Sequence, residues 1–253
     1  MINIMNFPLV MFACSLIVLW VATRIGALVR KRVTELQEDD LHDLSFVTGA
    51  VLTLLGLLIG FSFSMAISRY DQRKNYEEEE ANAIGTEYVR ADFLPAEDAA
   101  AVRELLRKYV DQRMLFYTAR SESRVDAINV ETARLQNEMW SKVRAAAAAQ
   151  PNPVMAVVVS GMNDVLNTQG YTQASWWNRI PTAAWGLMVA ISIGCSALIG
   201  FSVRHPRRLV FLIVPVAVSI SFLLIADIDS PRRGLIRVHP QNLESLTQSV
   251  RSQ

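Results

Sequence analysis

The sequence contains few histidines and cysteines, the residues on which many catalytic and metal sites depend. Its 253 residues include only three histidines, which lie far apart, at His42, His205 and His239. The two cysteines, Cys14 and Cys195, lie within apolar runs and are expected to act as small packing residues. No HExxH, GxSxG, CxxC or P-loop pattern occurs. We therefore expect no enzyme, no cofactor and no metal site, and the net charge of +1 gives no reason to expect nucleic-acid binding.

Charged residues are also scarce, at 19%, whereas 51% of the residues are hydrophobic and occur in long blocks. Four blocks of about 18 to 23 apolar residues are each long enough to cross a hydrocarbon core of about 30 Å as an α-helix. They cover residues 7–29, 46–68, 183–203 and 209–226. The sequence therefore predicts an all-α membrane protein with four spans.

The spans divide the chain into four parts. The 115 or so residues between the second and third spans have no alternating strand pattern and few glycines, so they should form a helical extramembrane domain continuous with the second span. The expected division is spans 1 and 2 at 1–68, the helical domain at 69–182, spans 3 and 4 at 183–226, and a polar tail at 227–253.

Within the helical domain, the helix that begins in the second span meets no proline before Pro95. Ile84 and Tyr88 share one face of this helix and should be buried in the domain. A second helix is expected from about residue 96, a third at 124–149 and a short fourth at 154–166, followed by a loop at 167–173.

The second span carries two patterns of small and apolar residues. Gly56 and Gly60 form a GxxxG pair, which allows transmembrane helices to approach closely. Thr53, Leu57 and Phe61 recur at i, i+4 and i+8 and therefore share one face of the helix. That face could line a pore or could pack against a neighbouring helix, and spacing alone favours packing.

Two acidic segments have alternative interpretations. Glu77 to Glu80 could chelate a cation, but four adjacent helical residues point in directions about 100° apart, which favours a solvated acidic turn. Asp227, Asp229 and Pro231 form a D-x-D-x-P sequence at the end of the fourth span. It is either a polar helix terminus or part of a charge ring or partner site.

Several segments resemble a known family. Gly60-Phe61, followed eight residues after the phenylalanine by Arg69-Tyr70, resembles the second span of the bestrophin anion channels. The segment from Asp227 is similar in style to the acidic segment after the last bestrophin span. EANAIGTEYVRADFLP, LLRKYVDQR and IADIDSPRRGLI resemble the bacterial membrane proteins called bestrophin-like, and this likeness extends over most of the chain.

The resemblance implies a homo-oligomeric ring, as in the pentameric bestrophins, in the lipid bilayer of a bacterial inner membrane. The second span would line the axis, with a narrow neck at Thr53, Leu57 and Phe61 that passes small ions, by analogy anions. Arg69-Tyr70 would mark the pore exit. Thr53 departs from the wholly apolar necks of the family. The calcium-binding acidic cluster of animal bestrophins has no clear match after Asp227, so no calcium gating is expected.

An alternative is a non-conducting membrane scaffold or regulator that binds a partner through its helical domain. Basic residues flank the spans in nearly equal numbers on the two sides of the membrane, so the side on which the helical domain lies stays open. Analogy with the bestrophins favours the cytoplasm.

Overall fold

The computed structural model of the chain describes residues 7–33, 38–202 and 210–252. These residues form α-helices, one short 3₁₀ helix and connecting turns, with no strand in the described ranges. The helices are α1 (Pro8–Arg32), α2 (Glu38–Arg90), the 3₁₀ helix Ala91–Phe93, α3 (Ala96–Thr118), α4 (Glu122–Ala149), α5 (Pro153–Trp177), α6 (Thr182–Ser202), α7 (Val210–Asp229) and α8 (Gln241–Arg251). The all-α prediction is confirmed.

Within the described residues, four helical segments are long and apolar enough to cross a membrane, as predicted. They include α1, the apolar part of α2, α6 and α7. Helix α2 passes Ser68 without a break and ends only at Arg90. The predicted third span ended at residue 203 and the fourth began at residue 209, and both positions, like His205, lie outside the described residues.

The chain divides into two compact units. The first contains the described residues up to Arg69 together with Arg179–Arg237, and the second contains Tyr70–Asn178 together with the residues from Val238 onward. Helix α2 contributes to both, and α8 belongs to the second unit although α6 and α7 precede it in the chain.

In the first unit, α1 packs against α6 through two glycines. A Cβ at Gly26 would overlap the carbonyl oxygen of Ala197, and a Cβ at Gly200 would overlap the carbonyl oxygen of Thr23. The two backbones are therefore in direct contact at both points. Such close approach is how small residues hold helices together within a bilayer, where burial of apolar surface drives association only weakly.

The second unit has its own hydrophobic core, to which α2, α3, α4, α5 and α8 contribute. Ile84 and Tyr88 of α2 are 0% and 3% exposed, which confirms their predicted burial. Fully buried side chains of the other helices complete the core, among them Leu106, Leu135, Met162 and Leu243. Because the apolar residues recur at helical spacing, each helix buries one apolar stripe and exposes its opposite face.

One predicted loop in this unit is wrong. Residues 167–173 continue α5, which runs without interruption to Trp177. Thr172 within this segment is fully buried, and its hydroxyl donates to a carboxylate oxygen of Glu80 at 3.2 Å. The buried contacts of the segment outweigh the weak helix propensities of its asparagine, threonine and glycine residues.

Candidate pore-lining face of helix α2

Helix α2 buries one face within the chain. In the first unit this face carries Leu55, Ser62 and Ala66, which are 2%, 8% and 0% exposed. In the second unit the buried positions recur mainly at spacings of three and four residues, at Arg73, Glu77, Glu80, Ala81, Ile84, Glu87 and Tyr88. This period is typical of a helix that packs along a single stripe.

The three predicted neck residues lie on the opposite side of the helix. At about 100° per residue, Thr53 and Leu57 lie about 160° on either side of Leu55, and Phe61 lies about 120° away. All three are exposed in the single chain, and Leu57 and Phe61 are 54% and 64% exposed. This face is therefore available to line a pore, to meet another subunit or to contact lipid.

The hydroxyl of Thr53 is already occupied. Its Oγ1 donates to the carbonyl oxygen of Gly49 at 2.9 Å, one turn earlier in the same helix. A threonine bonded in this way satisfies its own donor, which lowers the polarity that it adds to an otherwise apolar face.

Gly56 and Gly60 lie on the exposed side as well. Among the residues that the structure describes, a Cβ at either position would meet no atom within 4 Å. The GxxxG pair therefore does not hold α2 against another described helix of the chain, whereas α1 and α6 pack closely at Gly26 and Gly200.

Arg69 and Tyr70 differ in their surroundings. Both are half-buried. Arg69 donates to the Sδ of Met65 at 3.5 Å, and Tyr70 packs against the hydrophobic core of the second unit. Tyr70 thus fixes α2 in that unit.

Asp227 and Asp229 accept hydrogen bonds from backbone N–H groups. The two carboxylate oxygens of Asp227 accept from the N–H groups of Leu235 and Ile236, at 2.7 and 2.8 Å. Asp229 accepts from the N–H of Ile180 at 3.3 Å. These bonds support the interpretation of the D-x-D-x-P segment as a polar helix terminus that shapes the following turn.

Two further residues complete this turn. Pro231 is buried within it. A Cβ at Gly234 would overlap the carbonyl oxygen of Asp227, so a glycine is needed for the chain to return so closely to α7. In the described ranges of the chain, no group of three or more His, Cys, Asp or Glu side chains could hold a metal ion.

The acidic run in α2 divides into two buried and two exposed glutamates. Glu78 and Glu79 are exposed, as expected of a solvated turn, but Glu77 and Glu80 are 1% and 0% exposed. Glu77 accepts from the N–H of Leu243 at 2.9 Å, at the N-terminus of α8, where a carboxylate is favourable. Burial raises the pKa of Glu77.

Glu80 is the centre of a buried polar network. It forms an ion pair with Arg113 of α3, and both side chains are fully buried. The hydroxyl groups of Tyr117 and Thr172 donate to its Oε2 at 3.3 and 3.2 Å. The network joins α2, α3 and α5, and sequence spacing gave no sign of it because the partners are far apart in the chain.

Glu87 is buried without such partners. Its side chain is 0% exposed, and neither carboxylate oxygen accepts a hydrogen bond from any described residue. It lies against Gly161 of α5, where a Cβ would overlap Glu87 Oε2 and the guanidinium of Arg90. Burial raises the pKa of Glu87 to about 8, although the charge of Arg90 opposes the rise.

Comparison with known proteins agrees with this architecture. The family model of the Bestrophin-like domain matches residues 11–243, nearly the whole chain. The chain belongs to the bestrophin-like family. A search of curated proteins found no match.

Solved structures of bacterial bestrophin homologues share the fold of this bestrophin-like chain. One from Klebsiella pneumoniae is 15% identical, with a TM-score of 0.66 and 96% of each chain covered. A point variant of a Klebsiella pneumoniae bestrophin homologue is 12% identical, with a TM-score of 0.65, and covers 94% of this chain and 97% of its own. A variant described as a membrane protein is 14% identical, with a TM-score of 0.67 and coverage of 95% and 97%.

Proposed function

We propose that the bestrophin-like chain is the subunit of a homo-oligomeric channel, with α2 of each subunit lining a central pore for small ions. The exposed side of α2 carries this proposal, because Thr53, Leu57 and Phe61 lie opposite the face that the chain buries for itself. The large apolar side chains of Leu57 and Phe61 are costly to leave in water, so this face is expected to meet either lipid or other copies of the chain.

The neck is formed by the apolar members of this face. In a closed ring of subunits, Leu57 and Phe61 would each be repeated around the axis. A narrow apolar constriction gates by expelling water, and the occupied hydroxyl of Thr53 leaves little to oppose this. Gly56 and Gly60, at which a Cβ would meet no described atom within 4 Å, are available for close contact between neighbouring α2 helices.

The proposed location is a bacterial inner membrane, with a ring of five subunits, as the family resemblance implies, in the lipid bilayer. The ion is small because the neck residues are bulky. By analogy with the bestrophin anion channels, the ions that pass are anions.

Conductance of the purified protein in planar lipid bilayers tests the proposal. Phe61→Ala and Leu57→Ala widen the neck and should each raise the unitary conductance about twofold or more. Ile17→Ala is the matched control, because Ile17 is an equally exposed apolar residue (62%) of α1 and should leave conductance unchanged.

Two results would contradict the proposal. If neither wild type nor variants carry current, the chain is better explained as a non-conducting scaffold or regulator. If current flows but the three variants behave alike, the ions take another path.

A further inference from the structure

Helix α7 is followed by a short segment, residues 230–237, which we call the basic turn. Its sequence is SPRRGLIR, so it contains three arginines and no acidic residue. The apolar segment that precedes it, Phe211–Asp229, is 19 residues long. At about 1.5 Å per residue this length is close to the thickness of the hydrocarbon core, so the basic turn begins where the acyl chains of a bilayer meet the headgroups.

The basic turn exposes apolar side chains. Leu235 is 88% exposed, more than any other large apolar residue that the structure describes, and Ile236 is 42% exposed. Transfer of such side chains from water into an apolar medium is favourable. At the edge of a membrane, the adjacent apolar medium is the lipid.

Hydrogen bonds hold the backbone of the basic turn in place. The N–H of Ser230 donates to the carbonyl oxygen of Asp227 at 3.2 Å, and the N–H of Gly234 donates to that of Ser230 at 3.1 Å. The Asp227 carboxylate accepts from the N–H groups of Leu235 and Ile236. These bonds oppose a rearrangement that would bury Leu235 within the chain, and they also engage the carboxylate that precedes the turn.

Two arginines flank Leu235 in the sequence. The guanidinium of Arg233 lies over the ring of Phe7, 4.4 Å from its centroid, and Phe7 immediately precedes the membrane helix α1. Arg233 is exposed and Arg237 is half-buried. Among the described residues, no acidic side chain forms an ion pair with either arginine. Both guanidinium groups are therefore available to an anionic partner.

We propose that the basic turn binds anionic phospholipids, with Leu235 inserted among the acyl chains and with Arg233 and Arg237 bound to headgroup phosphates. Arginine suits this role because its N–H groups can bind two phosphate oxygens at once. Location and charge both favour lipid as the partner, since anionic headgroups lie at the depth of the turn and attract basic residues. The inference needs the membrane helices but not ion conduction.

Fluorescence quenching of a label at position 235 tests the insertion. Leu235→Cys is made in a Cys14→Ala background, because Cys195 is buried and should not react, and is labelled with NBD. In vesicles of phosphatidylcholine and phosphatidylglycerol, doxyl groups on the acyl chains should quench this label, and aqueous iodide should quench it only weakly. The control is Val130→Cys, because Val130 is an apolar residue of α4 in the second unit that is 73% exposed. Its label should show the reverse pattern.

Two results of this measurement would overturn the proposal. If iodide quenches the label at position 235 as strongly as the label at position 130, the basic turn lies in water. If neither quencher reaches the label at position 235, a protein surface, such as a second copy of the chain, covers the turn.

Lipid selectivity tests the two arginines. With the doxyl group carried in turn by phosphatidylglycerol and by phosphatidylcholine at equal mole fraction, the anionic lipid should quench the label at position 235 about twofold more or better. Arg233→Gln/Arg237→Gln should bring this ratio to about one, whereas Arg233→Lys/Arg237→Lys keeps the charge and should keep the ratio above one.

The control for the arginines is Arg120→Gln/Arg124→Gln. It removes two exposed arginines of the second unit and should leave the quenching ratio unchanged. A ratio of one without any arginine substitution, or an equal loss in this control, would overturn the assignment of headgroup binding to Arg233 and Arg237.

Discussion

The buried carboxyl group of Glu87 makes the stability of the second unit dependent on pH. Its pKa is about 8 in the folded chain, against 4.5 for an ordinary glutamate. The folded state therefore holds a proton that the unfolded state releases, and the carboxyl group does not weaken the fold below about pH 4.5. The free energy of unfolding therefore falls as the pH rises from about 4.5 to about 8. The loss is about 3 kcal/mol by pH 7 and about 5 kcal/mol over the whole interval.

Glu87→Gln should remove this dependence, because the amide keeps the shape of the protonated side chain and cannot ionise. We expect the variant to match wild type near pH 5 and to exceed it at pH 9. For a chain of this size, 1 kcal/mol corresponds to about 2–4 °C in Tm, so the difference at pH 9 should reach roughly 10 °C.

Thermal unfolding in detergent, followed by near-ultraviolet circular dichroism from pH 5 to pH 9, measures the difference. Glu78→Gln is the control, since it removes the same charge from an exposed position of the same helix and should follow wild type throughout. If Glu87→Gln were no more stable than wild type at pH 9, the carboxyl group would have to be solvated or paired in the folded protein, and the argument from its burial would fail.

Two further substitutions test other contacts of the fold by the same unfolding measurement. Gly26→Ala should destabilise the first unit by about 2 kcal/mol or more, because the new Cβ overlaps the backbone of α6. The control is Gly186→Ala, whose new Cβ would meet no described atom within 4 Å and which should cost less than about 1 kcal/mol. Equal effects would refute the close approach of α1 and α6. Arg113→Met should destabilise the second unit by about 3–5 kcal/mol by leaving Glu80 buried and unpaired. Arg134→Met removes only two exposed ion pairs, with Glu131 and Glu138, and should change stability by less than about 1 kcal/mol, so a comparable loss there would contradict the argument from burial.

The parts of the fold that the sequence predicted depend on local patterns. Apolar runs long enough to cross a bilayer identify the membrane helices, and helical spacing placed Ile84 and Tyr88 in the core. The same spacing grouped Thr53, Leu57 and Phe61 on one face. It could not show whether the chain covers that face itself, because this depends on which other helices pack against α2.

The features that the sequence analysis missed depend on partners far away in the chain. The ion pair of Glu80 joins residues 33 apart, and its bond with Thr172 joins residues 92 apart. The latter contact is also one reason why residues 167–173 are helical although their composition is typical of a loop. The acidic run itself held one available signal, because Glu77 and Glu80 continue the three- and four-residue spacing of Ile84 and Glu87.

The second unit is built from two parts of the chain that are far apart in sequence, and this affects its biosynthesis. Its residues 70–178 leave the ribosome first, but α8 follows only after α6 and α7 have been translated. Until then Glu77 lacks the N–H of Leu243, its partner 166 residues later, and the core position of Leu243 is empty. The nascent chain must therefore insert its last two membrane helices while this unit is unfinished, an interval in which exposed apolar surface favours misassembly and chaperone binding.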